Sequence, residues 1–192
     1  MHEESNVVGE KAGKRGAISP LHRFIHDYKG LAAVEFALIL PLMIAFYFGG
    51  IEMTNMLVAN RRVTAVAYTA ADLTAQAASL NDSDIADIFA ASATILQPFS
   101  TAPLTVRISS VVANAQNVAQ VAWSDGFQIS PRAVCSTVTL PAGLTTPGSS
   151  VVFVETAYGY ASPIGEMVAG TVEFTETAYM KPRRATQISR TN

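Results

Sequence analysis

An apolar run of membrane-spanning length near the start of the chain constrains this sequence more than any other feature. Residues 31–51 carry one charged side chain, Glu35. As an α-helix they would extend about 30 Å, which is the thickness of the hydrocarbon core of a bilayer. A charged side chain near the centre of a spanning helix costs about 2.5–3.5 kcal/mol. The retention of one carboxylate in this run therefore indicates that Glu35 has a partner or a task.

The segment before the run is polar and basic, and it ends in Gly30. Its basic residues are Lys11, Lys14, Arg15, Arg23 and Lys29. Lys and Arg next to a span favour the cytoplasmic side, so we expect a cytoplasmic N-terminus and a C-terminal domain on the far side of the membrane. An ordinary secretory signal has a shorter apolar core with a small-x-small cleavage site soon after it, and this run is too long for that pattern.

The order of Gly30, the apolar run and Glu35 resembles the processing site of type IV prepilins. The resemblance implies that a prepilin peptidase cuts between Gly30 and Leu31 and leaves the apolar segment on the mature protein, with Glu35 as its fifth residue. Gly30 suits such a protease because it has no Cβ to obstruct close approach. Residues four apart share a helix face, so the new, largely cationic amino group of Leu31 and the Glu35 carboxylate could neutralise each other.

A helical pattern continues beyond the run. Apolar and small side chains recur with a period near 3.6 residues, at Met53, Met56, Leu57, Asn60, Val63, Ala67, Ala70, Ala71 and Leu73. We therefore expect one helix over residues 31–78, about 70 Å long. A second helix is expected over residues 83–97, with N-cap oxygens at 81–83 and an apolar face at Ile85, Ile88, Phe89, Ser92, Ile95 and Leu96.

The period changes to two after residue 104, which predicts strands. The expected strands are 104–113, 118–124, 150–160 and 171–180, with a hairpin turn at 114–117 and a long loop over 126–148 that contains a short edge strand at 134–140. The prediction is an α+β fold: a single N-terminal transmembrane helix extended into a pilin-like periplasmic domain, with a second helix and an antiparallel sheet of about four strands.

Four segments resemble one branch of the prepilin-like proteins, the TadE-like pseudopilins of tight adherence (Flp) pilus systems. They are residues 30–38 with Pro41, residues 60–67, and the pair 151–160 and 177–183. The resemblance implies a leader peptide at 1–30, a transmembrane helix at 31–52 and a periplasmic domain at 53–180, and the basic and polar composition of residues 181–192 predicts a mobile C-terminal tail. The resemblance also implies a minor pseudopilin of the bacterial inner membrane that takes part in pilus assembly. Its implied partners are prepilin peptidase, other pilins and pseudopilins, the inner-membrane assembly machinery and the lipid membrane.

Composition weakens the competing functional classes. The chain has 192 residues and a net charge of -2, with 15% charged residues against about 25% in a typical soluble domain. Its basic residues lie mainly at the two ends, so no nucleic-acid partner is expected. The single cysteine, Cys135, cannot form an intrachain disulfide, and we expect it to be at least half buried.

No catalytic, cofactor-binding or metal-ligating residue is predicted. The three histidines, His2, His22 and His26, all precede Gly30, so a processed chain has no imidazole for acid–base chemistry or for a metal. Glu155, Glu173 and Glu176 lie on predicted strands and could meet, which leaves a membrane-anchored hydrolase as a weak alternative. The stronger alternative is an uncleaved single-pass envelope protein with a periplasmic binding or scaffold domain.

Overall fold

A computed structural model describes residues 30–162 and 170–191. The predicted leader, except Gly30, lies outside the described residues together with its histidines. The chain divides into two compact units, residues 1–47 and residues 48–192. The elements in chain order are α1 (Leu31–Gln76), β1 (Ser79–Leu80), α2 (Asp82–Thr94), β2 (Leu104–Ala113), β3 (Ala119–Phe127), β4 (Ser150–Ala161), β5 (Thr171–Met180) and β6 (Ser189–Arg190).

The described part of the first unit is the beginning of α1. The helix runs without a break through Pro41, which a spanning helix tolerates better than a soluble one. Its most apolar window has a mean hydropathy of 2.2, and none of that window is buried within the protein. Among the described residues, α1 is the one helix long and apolar enough to cross a membrane.

In the second unit, α1 buries a stripe of small residues. The buried positions are Ala59, Val63, Val66, Ala67, Ala70, Ala71, Thr74 and Ala75. Their steps of three, four and one residues follow the 3.6-residue period, and their small side chains allow the helix backbone to lie close to the elements it packs on. The predicted stripe began too early, because Met53 and Leu57 are 60% and 56% exposed and Asn60 is also exposed.

Helix α2 begins at a capping box. The Asn81 side chain accepts a hydrogen bond from the Asp84 backbone N–H, and the Asp84 carboxylate accepts one from the Asn81 N–H. These two bonds satisfy donors that a helix start would otherwise leave unpaired. The apolar face is confirmed, since Ile85, Ile88, Phe89, Ser92 and Leu96 are buried. The helix ends at Thr94, three residues earlier than expected, and tight turns follow.

The predicted antiparallel sheet is confirmed, with the order β3-β2-β4-β5. Strands β2 and β5 have the expected bounds, while β3 is Ala119–Phe127 and β4 gains Ala161. The turn between β2 and β3 is held by Asn114, whose side-chain oxygen accepts hydrogen bonds from the N–H groups of Gln116 and Val118. The expected edge strand at 134–140 is reduced to one bridge, between Gln120 and Thr137.

Both faces of the sheet are covered by apolar packing. One face carries Val106, Ile108, Trp123, Val152 and Val154 in a core that also contains the α1 stripe and α2. The other face carries a smaller cluster of Val111, Ala119, Val121, Val151 and Phe153, against which the loop residues Leu140 and Leu144 pack. Opposite Ser110 and Val111 the register shifts by one extra residue in β3, so Trp123 and Val121, two residues apart on β3, lie on opposite faces of the sheet.

The C-terminal segment is part of the second unit, which differs from the mobile tail expected. Ile188 is fully buried, and the Trp123 indole N–H donates a 2.8 Å hydrogen bond to its carbonyl oxygen. Arg190 forms ion pairs with Asp82 and Asp125. The hydrogen bond donated to Asp125 is the main cause that raises the pKa of the Arg190 guanidinium above its ordinary value. Buried and paired groups of this kind hold a chain terminus in place.

Cys135 also differs from expectation, because it is exposed. Its backbone has φ of +64°, and its N–H donates a 2.8 Å hydrogen bond to the Val121 carbonyl. A backbone hydrogen bond of the long loop therefore holds Cys135 in place, and its thiol is not part of the core.

Candidate processing and assembly segment

Gly30 and Leu31 lie at the point where α1 begins. Gly30 is a turn residue, and its carbonyl oxygen accepts a 3.2 Å hydrogen bond from the Val34 N–H, which closes the first helical turn. Both residues are exposed, and 55% of the surface of Leu31 is accessible. The predicted cleavage bond therefore lies at the boundary between a turn and a regular helix. A peptide bond at a helix boundary requires little unwinding to enter a protease.

Glu35 is on the second turn of α1 and is exposed. Four residues separate it from Leu31, which places the two residues on the same helix face, about 6 Å apart along the axis. Within residues 30–162 and 170–191, no hydrogen bond or ion pair to the Glu35 carboxylate is found. The helix therefore presents this carboxylate outward among apolar side chains.

Large apolar side chains cover the helix surface around Glu35 on all sides. Phe36, Leu38, Leu42 and Phe46 are 64%, 75%, 57% and 72% exposed, respectively. A helix that is apolar around its whole circumference requires an apolar surrounding, which is either lipid or other helices. This part of α1 can thus insert in a membrane and can pack against neighbouring helices.

The model of one protein family, described as TadE-like protein, matches residues 30–72. The chain carries a TadE-like segment. The resemblance predicted from the sequence is confirmed there, and it is consistent with a TadE-like protein of the tight adherence pilus system. No curated protein and no solved structure gives a significant match to the chain.

The TadE-like match contains Gly30, Leu31 and Glu35 and continues into the buried stripe of α1. It stops before α2 and includes no strand of the sheet. The predicted resemblance of residues 151–160 and 177–183 to the closing strands of the family therefore stays a prediction, as do the roles of the three site residues.

The strand carboxylates do not form a pair. Glu155 accepts bidentate hydrogen bonds of 2.8 and 2.7 Å from Arg132. Glu176 accepts a hydrogen bond from the Thr64 hydroxyl on the opposite face of the sheet. Glu173 is exposed. Along β5 it lies four residues, or about 13 Å, from Thr177, which is the cross-strand partner of Glu155.

Two arginines fix the Glu155 carboxylate. Arg107 contacts one of its oxygens at 3.3 Å, and the Arg132 guanidinium also lies 5.5 Å from the centre of the Phe153 ring. Burial alone would raise the pKa of Glu155, but the hydrogen bonds and charges of Arg132 and Arg107 outweigh it and hold that pKa below its ordinary value. A carboxylate held ionised by two cations suits structural cross-linking between strands better than proton transfer.

Sequence reasoning missed one polar group, Glu52. Both of its carboxylate oxygens are shielded from solvent, and in the described part of the chain neither accepts a hydrogen bond of normal geometry. Tyr160 is its electrostatic neighbour. The sequence offered one signal, which is that Glu52 is a second carboxylate directly after a membrane-length apolar run. The predicted span, residues 31–52, included it as its last residue.

Proposed function

We propose that this protein is a minor pseudopilin that takes part in assembly of a tight adherence (Flp-type) pilus and is processed by prepilin peptidase after Gly30. The observation that carries the proposal is the TadE-like match, which begins at Gly30 and contains Glu35. The exposed start of α1 at Gly30 and Leu31 supports it, because a peptidase needs an accessible bond at this position.

We propose a single-pass protein of the bacterial inner membrane with a cytoplasmic N-terminus. The apolar part of α1 supports the span, and the basic residues before Gly30 support the orientation. Residues 53–180 then form the periplasmic domain, and the mature protein associates with other pilins and pseudopilins and with the inner-membrane assembly machinery. Its role is assembly and not catalysis, and no nucleic acid takes part.

The Gly30 variant and the native N-terminus test the processing step. The protein is extracted from membranes of cells with and without prepilin peptidase, and its N-terminus is sequenced. We expect Leu31 as the first residue in the presence of the peptidase and the intact leader in its absence. Gly30→Ile should retain the leader in both strains, because the added side chain obstructs the protease. Gly49→Ile, inside α1, is the matched control and should be processed normally.

An uncut native N-terminus in cells that contain an active peptidase would contradict the processing step. That result would favour the uncleaved single-pass envelope protein with a binding or scaffold domain.

Glu35→Ala tests the assembly step separately. In lipid, helix association depends on packing and polar pairing because the surroundings are already apolar. The variant should insert and be cut like the wild type, but pilus yield should fall at least tenfold. Glu173→Ala, which removes an exposed carboxylate from β5, is the control and should leave the yield unchanged. Normal pilus yield in Glu35→Ala would exclude the pairing role.

A further inference from the structure

A cleft in the second unit is lined by Tyr160, whose neighbour is the buried Glu52 carboxylate. It has a volume of about 560 Å³, within the range of about 300–1,000 Å³ typical of small-molecule sites. Its walls come from the first part of α1 in this unit, from the loop after α2 and from the end of β4. The lining residues that matter to the argument are Asn55, Pro98, Phe99, Pro103, Tyr158 and Tyr160.

Three aromatic residues, Phe99, Tyr158 and Tyr160, line this cleft. The Phe99 ring meets the Tyr160 ring edge to face, with centroids 6.0 Å apart. The Tyr160 ring also packs against Phe174, at 6.1 Å. Aromatic faces attract cations through the ring quadrupole, and tyrosines combine an apolar body with a hydroxyl group. The cleft thus offers apolar contact and attraction for a positive charge in one place.

The Glu52 carboxylate supplies the negative charge. Glu52 and Asn55 are three residues apart on α1 and therefore share a helix face, and Asn55 lines the cleft. Burial of Tyr160, together with the nearby Glu52 carboxylate, raises the pKa of Tyr160 to about 12. Burial without a counter-charge destabilises a carboxylate. A cation in the cleft would relieve part of that cost.

Chain connectivity places the cleft wall at the bilayer surface if residues 31–52 span the membrane. Asn55 is three residues beyond Glu52, so the two are at most about 11 Å apart in any backbone conformation. Tyrosine and other aromatic side chains concentrate at this depth in membrane proteins. Zwitterionic lipid headgroups present ammonium groups at this depth.

We propose that this cleft binds the headgroup of a phospholipid that carries a primary ammonium group. The ammonium donates a hydrogen bond to the Tyr160 hydroxyl, which in turn donates to the buried Glu52 carboxylate. The aromatic rings contact the cation, and the prolines and Phe99 contact the glycerol and the first methylene groups. A lysine side chain from a partner protein would leave most of 560 Å³ unfilled, which favours the lipid. The inference depends on the membrane insertion included in the proposed function, but it does not depend on processing or on pilus assembly.

Lipid retention by the full chain tests this site. The protein is reconstituted in bilayers of equal parts phosphatidylethanolamine, phosphatidylglycerol and phosphatidylcholine, and the lipids that remain bound after transfer to detergent are counted by native mass spectrometry. We expect wild type to retain one phosphatidylethanolamine. Glu52→Gln should reduce that retention at least tenfold, and Tyr160→Phe should reduce it while preserving the shape of the cleft. Glu173→Gln is the matched control and should behave as wild type.

Three results would overturn the proposal. Equal retention of the three lipids would show that no ammonium is recognised, and unchanged retention in Glu52→Gln would show that this carboxylate is not involved. Loss of a co-purifying protein from Glu52→Gln, with lipid retention unchanged, would assign the cleft to a protein partner instead. Far-UV circular dichroism confirms that the variants fold. Because the assay accepts cut and uncut chains alike, an uncut N-terminus would contradict the proposed function and leave this result intact.

Discussion

The buried C-terminal segment gives the sharpest prediction about stability. Ile188 is fully buried in the main core although its neighbours Gln187 and Ser189 are exposed. Replacement of a buried isoleucine by alanine typically lowers the free energy of unfolding by about 2–5 kcal/mol, because the removed atoms no longer bury apolar surface and a cavity remains. The segment is held on the far side of Ile188 by the ion pairs of Arg190, which limits its collapse into that cavity. We therefore expect Ile188→Ala to reduce the free energy of unfolding by about 3 kcal/mol.

The assay uses the single tryptophan of the chain. Trp123 is 7% exposed and donates its indole hydrogen bond to the Ile188 carbonyl, so its emission reports on this contact. The full chain in detergent micelles is unfolded with urea, and fluorescence and far-UV circular dichroism are followed together. Deletion of residues 181–192 should shift Trp123 emission to longer wavelength before any denaturant is added.

Gln187→Ala is the matched control, and we expect a change within about 0.5 kcal/mol, as for most exposed sites. A loss in Ile188→Ala that equals the loss in Gln187→Ala would refute the assignment of the C-terminal segment to the core. Unchanged Trp123 emission after the deletion would refute it independently.

Three further predictions concern the same unit. The pKa of Glu155 is held below its ordinary value, so the ionised carboxylate stabilises the folded state at neutral pH. This stabilisation is lost as pH falls from about 4.5 through the lower folded-state pKa. In urea unfolding, wild type should therefore lose more stability on acidification than Glu155→Gln. A Cβ at Gly126 would clash with the Ile129 carbonyl oxygen, so Gly126→Ala should cost about 1–3 kcal/mol in thermal unfolding. Gly159→Ala should cost less, because its Cβ would meet no atom closer than 3.4 Å. Asn81→Ala removes the cap of α2 and should cost about 1 kcal/mol; an unchanged midpoint would contradict its role.

Regular elements were predictable because local patterns specify them. The bounds of β2 and β5 follow from period-two alternation between turn residues, and the start of α2 follows from the cap oxygens before it. The start of α1 was predictable for a different reason, because a membrane-length apolar run leaves little choice of structure. The TadE-like match covers that region and confirms the resemblance first suggested by Gly30, Glu35 and the residues between them.

The C-terminal segment was not predictable, because a single apolar residue in a polar sequence has no periodicity. Ile188 is flanked by polar and basic residues, a composition that usually indicates a solvated end. Its segment is held by Trp123, Asp82 and Asp125, which lie 63 or more residues before Ile188. The exposure of Cys135 was also missed, because the residue lies in a long loop with no periodicity, where its backbone is left-handed.

The mispredicted burial of residues along α1 shows where the surroundings of this helix change. From Leu31 to Ile51 every side chain is exposed. The helical period of apolar residues therefore does not distinguish one face from another there, and only mean hydropathy predicts the environment. From Ala59 onward the buried positions are mostly alanine and valine, and period is informative while hydropathy is weak. Between these regions, Met53 and Leu57 follow the period but are not buried, and Glu52 breaks the apolar run but is shielded. Periodicity identifies which residues share a face, and only the packing partners decide whether that face is covered. The residues between 52 and 58 are therefore the part of α1 whose environment the sequence constrains least. Glu52→Gln tests whether a lipid headgroup at the membrane surface supplies the positive charge that this carboxylate lacks within the described chain.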